Sequence, residues 1–190
     1  MLADGDRASN GDVWLRILTS EGQITKGKLH HAAFKGTIKP IHADKNRPWS
    51  SEMSGRLRSL AGSIDDIKNH ATAYCARKSQ KYSGVAFGRC ADLKINFPNS
   101  PVSSAVHYTP IDKPPDTDRA HADLTFSGAI VQPKSAEEGQ LLLILHGRFT
   151  ALHPDQIGLL PEAAPEGLLR RLKNRLSRLF SRSVLSTVRI

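Results

Sequence analysis

The longest unbroken apolar run in this chain is five residues, Leu141, Leu142, Leu143, Ile144 and Leu145. A membrane-crossing helix needs about 20, so no transmembrane segment is expected and the interior has to be assembled from short pieces that meet in space. Residues 13–19 alternate as Val, Trp, Leu, Arg, Ile, Leu, Thr, and residues 84–87, 93–97, 102–108 and 122–131 are further short apolar stretches between turn residues. Runs of this length bounded by Gly, Pro, Asn and Asp read as strands. Ser20, Glu21 and Gly22 between residues 13–19 and 24–29 read as the turn of a hairpin. Residues 140–149 read as a central strand, because a strand buried on both faces loses its alternation.

Two helices are expected in the first half. Ser50 and Ser51 precede Glu52 and residues 53–60, where a serine hydroxyl can cap a helix. Ser63 followed by Asp65 and Asp66 starts a second, running to about Lys78, with Ile67, Ala71 and Tyr74 on one face. Residues 110–119, with three prolines and three aspartates, read as a solvated loop.

The expected fold is therefore one α+β domain, a small mixed or antiparallel sheet with two or three helices, followed by a C-terminal basic amphipathic helix. A length of 190 residues suits a single domain. The boundaries read as a flexible segment over residues 1–11, a globular body over 12–154, a linker over 155–164 and a cationic helix and tail over 165–190.

Charge is unevenly placed. The formal net charge is +9; residues 165–190 hold seven cations and one anion, a net of +6, which leaves +3 for everything before them. In that stretch Leu168, Leu169, Leu172, Leu176, Leu179 and Phe180 fall on one side of a helix, with Arg170, Arg171, Lys173, Arg175 and Arg178 on the other. A leucine face of this kind suits docking onto a protein partner; contact with an anionic membrane is less favoured, since Phe180 is the one bulky aromatic. Residues 1–12 carry Asp4, Asp6, Arg7 and Asp12, the reverse of a signal peptide's cationic start, so a cytoplasmic location is expected. Cys75 and Cys90 are too few for a disulfide framework and read as small buried apolar residues.

Candidate chemistry is sparse. His121 and Asp123, two apart on a strand, point to one side and can pair so that the carboxylate orients the imidazole. His146 and Arg148 follow the apolar run, where a strand leaves the core and functional side chains gather. Between Asp66 and Asp92 there is no acid, while Lys68, Arg77, Lys78, Lys81 and Arg89 are interleaved with Tyr74, Tyr82 and Phe87, the footprint of a face that contacts phosphates and stacks on bases. Adjacent His30 and His31, even with His42 and Asp44, lack the spacing that brings two ligands to one ion, so neither metal nor cofactor is expected.

Ala33-Phe34, Gly84-Val85-Ala86, the loop over 110–119 and His121-Ala122-Asp123-Leu124 together resemble a loose group of small uncharacterised bacterial proteins found beside mobile or defence-related genes. The resemblance spans residues 13–131, implies an accessory role and carries over no catalytic residue; the basic tail departs from it. The expected function is thus a non-catalytic accessory or adaptor protein that binds another macromolecule. DNA or RNA binding through the basic faces is the first alternative, and a small enzyme acting on a phosphate-containing substrate the second.

Overall fold

Strands dominate because the chain repeatedly sets apolar residues two apart with small or polar ones between them, a pattern that fits a pleated surface. The computed structural model describes residues 2–25, 28–30, 33–41, 47–112 and 117–164. Its strands are β1 (Val13–Leu18), β2 (Ile24–Thr25), β3 (Lys28–Leu29), β4 (Lys39–Pro40), β5 (Ser51–Leu57), β6 (Gly84–Arg89), β7 (Ile95–Asn96), β8 (Ser103–Tyr108), β9 (His121–Ser127) and β10 (Thr150–Leu152). Its α-helices are α1 (Ile64–Arg77) and α2 (Ala136–His146). The main sheet runs β10-β6-β1-β5-β9-β8-β7, with β4 paired to β5 off that path, and it curls into an open half-barrel. Every neighbouring pair along it is antiparallel.

This corrects the expected fold class: the body is mostly sheet, not a small sheet carried by two or three helices. Residues 53–57, expected in a helix, belong to β5, where Ser51, Met53, Gly55 and Leu57 alternate inward. Residues 140–146, expected as a central strand, lie in α2. Ser135 caps that helix by accepting from Glu138 N at 3.0 Å. The expected hairpin is also different, since β1 pairs with β5 and β6 while β2 pairs with β3 in a sheet of their own. The helix after Ser63 forms as α1, with both halves of its capping box in place. The basic amphipathic helix lies outside the described residues.

Each face of the sheet carries a core. On one, Trp14, Met53, Leu57, Leu124 and Phe126 meet Leu141, Leu142 and Leu145 of α2. On the other, Val13, Leu15 and Val85 meet Ile67 of α1 and the segment after β10. Trp14 joins β1 to β9 directly: its indole passes over Gly55 of β5 and donates from Nε1 to Ala122 O at 3.1 Å. A Cβ on residue 55 would lie 2.3 Å from that ring, so only glycine fits the crossing.

Both expected tails of the body are docked on it. Gly5 N donates to Tyr108 O at 2.8 Å and Ala8 N to Val106 O at 2.9 Å, which lines residues 5–8 along the edge of β8 beyond β7. Within the stretch read as a linker, Ile157 and Leu160 are buried in the second core. Glu162 meets Arg58 at 2.6 Å, and Ala164 N reaches Gly11 O at 2.9 Å. Apolar side chains hold these segments where proline content alone suggested a spacer. Cys75 and Cys90 are both buried.

Candidate functional site

Strand alternation decides which side chains meet. On β9 Ala122, Leu124 and Phe126 point into the first core, which sends His121, Asp123 and Thr125 to the opposite face. Register then sets Arg56 beside His121, Ser54 and His107 beside Asp123, and Glu52 and Ala105 beside Thr125. A polar patch three strands wide results, flanked by α1 and partly roofed by Trp49.

The expected His121–Asp123 pair is present, with Nε2 and Oδ1 3.8 Å apart. His121 Nδ1 lies 2.7 Å from Thr109 O, and a carbonyl can only accept, so the ring proton sits on Nδ1 and Nε2 is the basic nitrogen. Thr109 Oγ1 donates to Asp123 Oδ2 at 2.8 Å. The other carboxylate oxygen, Oδ1, is buried and finds no hydrogen-bond partner among the described residues. Burial pushes the Asp123 carboxyl up, while the neighbouring His121 pulls it down. Two lone pairs facing each other at 3.8 Å favour a proton held by one partner or the other.

Most of the rest of the patch is engaged internally, although Arg56 Nη1 is also buried without a hydrogen-bond partner among the described residues. Arg56 holds Asp118 through Nε and Nη2, and His70 of α1 approaches the same carboxylate at 3.6 Å. Burial is the main cause that lowers the His70 imidazole, reinforced by Arg56. Thr125 Oγ1 donates to Ala105 O, so it accepts from His107 Nδ1 at 2.8 Å. Patterning that makes His121 and Asp123 legible applies equally to His107 on β8 and Thr109 just after it, which the sequence reading missed. Trp49, which stacks on His107 at 4.6 Å between centroids, arrives from a loop with no local signal.

His146 and Arg148 do not join this patch. His146 ends α2 on the first-core side, where its Nε2 donates to Leu29 O at 2.8 Å, and Arg148 is exposed beyond the helix. His121 and His146 thus lie on opposite sides of the sheet and cannot act on one substrate together. Among the described residues no three metal-ligating side chains gather, and no helix is long and apolar enough to cross a membrane.

The basic residues of the body do not form a single face. Lys68 and Arg77 are nine residues apart on α1, which places them about 180° apart around its axis. Lys78, Lys81 and Arg89 are exposed, Arg89 at the far end of β6 opposite Val13. Tyr82 and Phe87 pack on the second core, and burial pushes the Tyr82 hydroxyl up to about 12, so neither ring is presented for stacking. Arg170, Arg171, Lys173, Arg175 and Arg178 lie outside the described residues, as do the expected partner-binding Leu168, Leu169, Leu172, Leu176, Leu179 and Phe180.

Unused apolar surface appears instead on α2. Five consecutive apolar residues wrap more than one face of a helix, so some must point outward. Leu143 is 68% exposed and borders a groove of about 700 Å³ between α2 and the turn after β7. Phe97, Pro98, Pro101 and Ile144 line it, and Glu137 is the one charged residue of its walls among the described residues. Comparison with known proteins finds no matching family model, curated protein or solved structure, so these surfaces alone bear on what the chain does.

Proposed function

We propose that this protein is a non-catalytic accessory protein that captures a protein partner through the outward face of α2. The observation that carries the reading is Leu143, a large aliphatic side chain two-thirds exposed at the edge of an apolar groove. Isolated apolar residues on a surface need no explanation, but a leucine beside a groove of proline, phenylalanine and isoleucine is a surface with something to gain from cover. Glu137 on the wall favours an apolar segment flanked by lysine or arginine. The leucine-and-arginine pattern of residues 165–190 supports a second binding element, and the resemblance to bacterial proteins near mobile or defence-related genes fits an accessory role.

The polar patch does not compete well as an active site, because nearly all its hydrogen-bonding groups already satisfy one another. The orphaned Asp123 Oδ1 beside His121 Nε2 does favour one other reading, proton transfer on a phosphate-containing substrate.

Pull-downs from native cells should use the full chain, Leu143→Asp and a chain lacking residues 165–190, followed by direct titration of the purified partner. Leu143→Asp is expected to weaken binding at least tenfold with the fold retained. Unchanged affinity in that variant would remove the α2 face, and unchanged affinity in the truncated chain would remove the tail.

A further inference from the structure

The outer edge of β8 is covered in two parts. Ser103 and Ser104 pair with β7, and beyond them the chain's own residues 5–8 take over. That cover is thin: three main-chain hydrogen bonds tie it to β8, the third being Tyr108 N to Asp6 O at 2.8 Å. Within it Ala8 is buried in the first core, and just before it Leu2 packs on the same core and Asp4 meets Arg47 at 2.8 Å. A turn over residues 9–12, closed by Asp12 N to Ser9 O at 3.0 Å, separates this strip from β1, so it can lift without disturbing the sheet.

His107, on β8, lies directly across the bridge from Arg7. Its ring stacks on Trp49, and the Arg47 guanidinium lies over the same indole at 5.3 Å. Nδ1 already carries a proton for Thr125, so acid adds the second proton at Nε2 and creates a third positive charge beside Arg7 and Arg47. The acids that face this spot are committed elsewhere. Asp4 is on Arg47, Asp6 on Ala3 N and Glu52 on Trp49 Nε1, while Asp123, across the strand pair from His107, accepts from Thr109 and is pushed by burial toward its neutral form. Tyr108 on the same strand and His121 on β9 are further titratable neighbours among the described residues.

We propose that residues 4–8 are an acid-released cover of the β8 edge, triggered by His107 and expelled by its repulsion of Arg7. Burial, helped by Arg7 and Arg47, holds the His107 imidazole down to about 4 in the covered state. Lifting the strip removes Arg7 and part of that burial, so the imidazole rises toward its ordinary value of about 6.5 and opening is favoured as the pH falls, by up to about tenfold at pH 5.5 relative to neutral pH. The uncovered main chain of residues 106–108 then presents an unpaired sheet edge.

Amide hydrogen exchange at Gly5, Ala8 and Tyr108 in the full chain tests this between pH 7.5 and 4.5, with rates corrected against an unstructured peptide. The opening constant of these three amides should rise severalfold, up to about tenfold, by pH 5.5 while amides of α1 and β1 stay protected. His107→Asn should flatten the rise, and Arg7→Gln, which keeps the histidine but removes the repelling cation, should reduce it. An equal rise in both variants would overturn the proposal. So would exchange at Gly5, Ala8 and Tyr108 that follows global unfolding.

Discussion

Two buried carboxylates, one on each side of the sheet, are handled in opposite ways. Glu138, fully buried at the start of α2, accepts from Gly36 N at 2.9 Å, Ile38 N at 3.2 Å and Lys134 N at 2.6 Å. Asp123, almost as buried, has one donor at Oδ2 and none at Oδ1. Main-chain N–H groups are fixed donors that no titration removes, so the first carboxylate works as a structural staple between α2 and the segment around Ile38. The second depends on a histidine and a threonine, and burial drives it toward its neutral form. One face of this sheet is built for permanence and the other responds to protons.

The largest effect should come from Glu138→Ala, which strands three buried donors and is expected to cost about 4 kcal/mol in urea unfolding. A loss below about 1 kcal/mol would mean that the staple is illusory and the two carboxylates are alike. Gly55→Ala forces a methyl group into the Trp14 indole that links β1 to β9, and a cost of about 3 kcal/mol is expected.

Next in size is the pH profile of the polar face, where the histidines and Asp123 act with opposite sign. His70 and His107 are lowered in the fold, so the stability of their neutral forms is complete above about 6.5. It is lost as the pH falls through their folded values, near 4 for His107. Each can add at most about 1.4 kcal/mol per pH unit, less in practice because both rings are only half-buried. Asp123 is raised and works the other way, favouring the fold at low pH and losing that contribution as the pH rises. Urea midpoints between pH 7 and 4 should therefore fall more steeply in the wild type than in His107→Asn.

Asp123→Asn removes the ionisation and leaves Thr109 an acceptor, so the stability change at pH 7 should stay within about 1 kcal/mol, in contrast to Glu138→Ala. A loss as large as that of Glu138→Ala would show that the charged form of Asp123 holds the patch together. Smallest of all, Leu143→Asp should change the unfolding free energy by no more than about 0.5 kcal/mol, since its side chain is largely exposed.

Much of the local order was legible. Ser63 with Asp66 announces α1, alternation marks β1, β6, β8 and β9, and spacing of two placed His121 and Asp123 on one face. Two elements were misread for one reason. The run 141–145 is too short for its periodicity to separate a buried strand from a helix, although Ser135 and Glu138 carried a capping signal in plain view. Residues 51–57 begin with serines that suit a cap, yet their burial alternates, a property settled only by what lies on each side of β5.

Period-two and helical spacing, capping residues and the absence of a long apolar run are local properties, and the amino-acid order by itself determined them: several strands, one capped helix and a His–Asp pair on a shared face. Strand order belongs to tertiary structure, because it depends on contacts between residues far apart in the chain. The pairing of β1 with β5 and β6, the indole crossing at Gly55, the three donors on Glu138 and the Arg7–His107 meeting all arise there. Side-chain alternation says which residues share a face of one strand, but only the register of neighbouring strands says whom they meet.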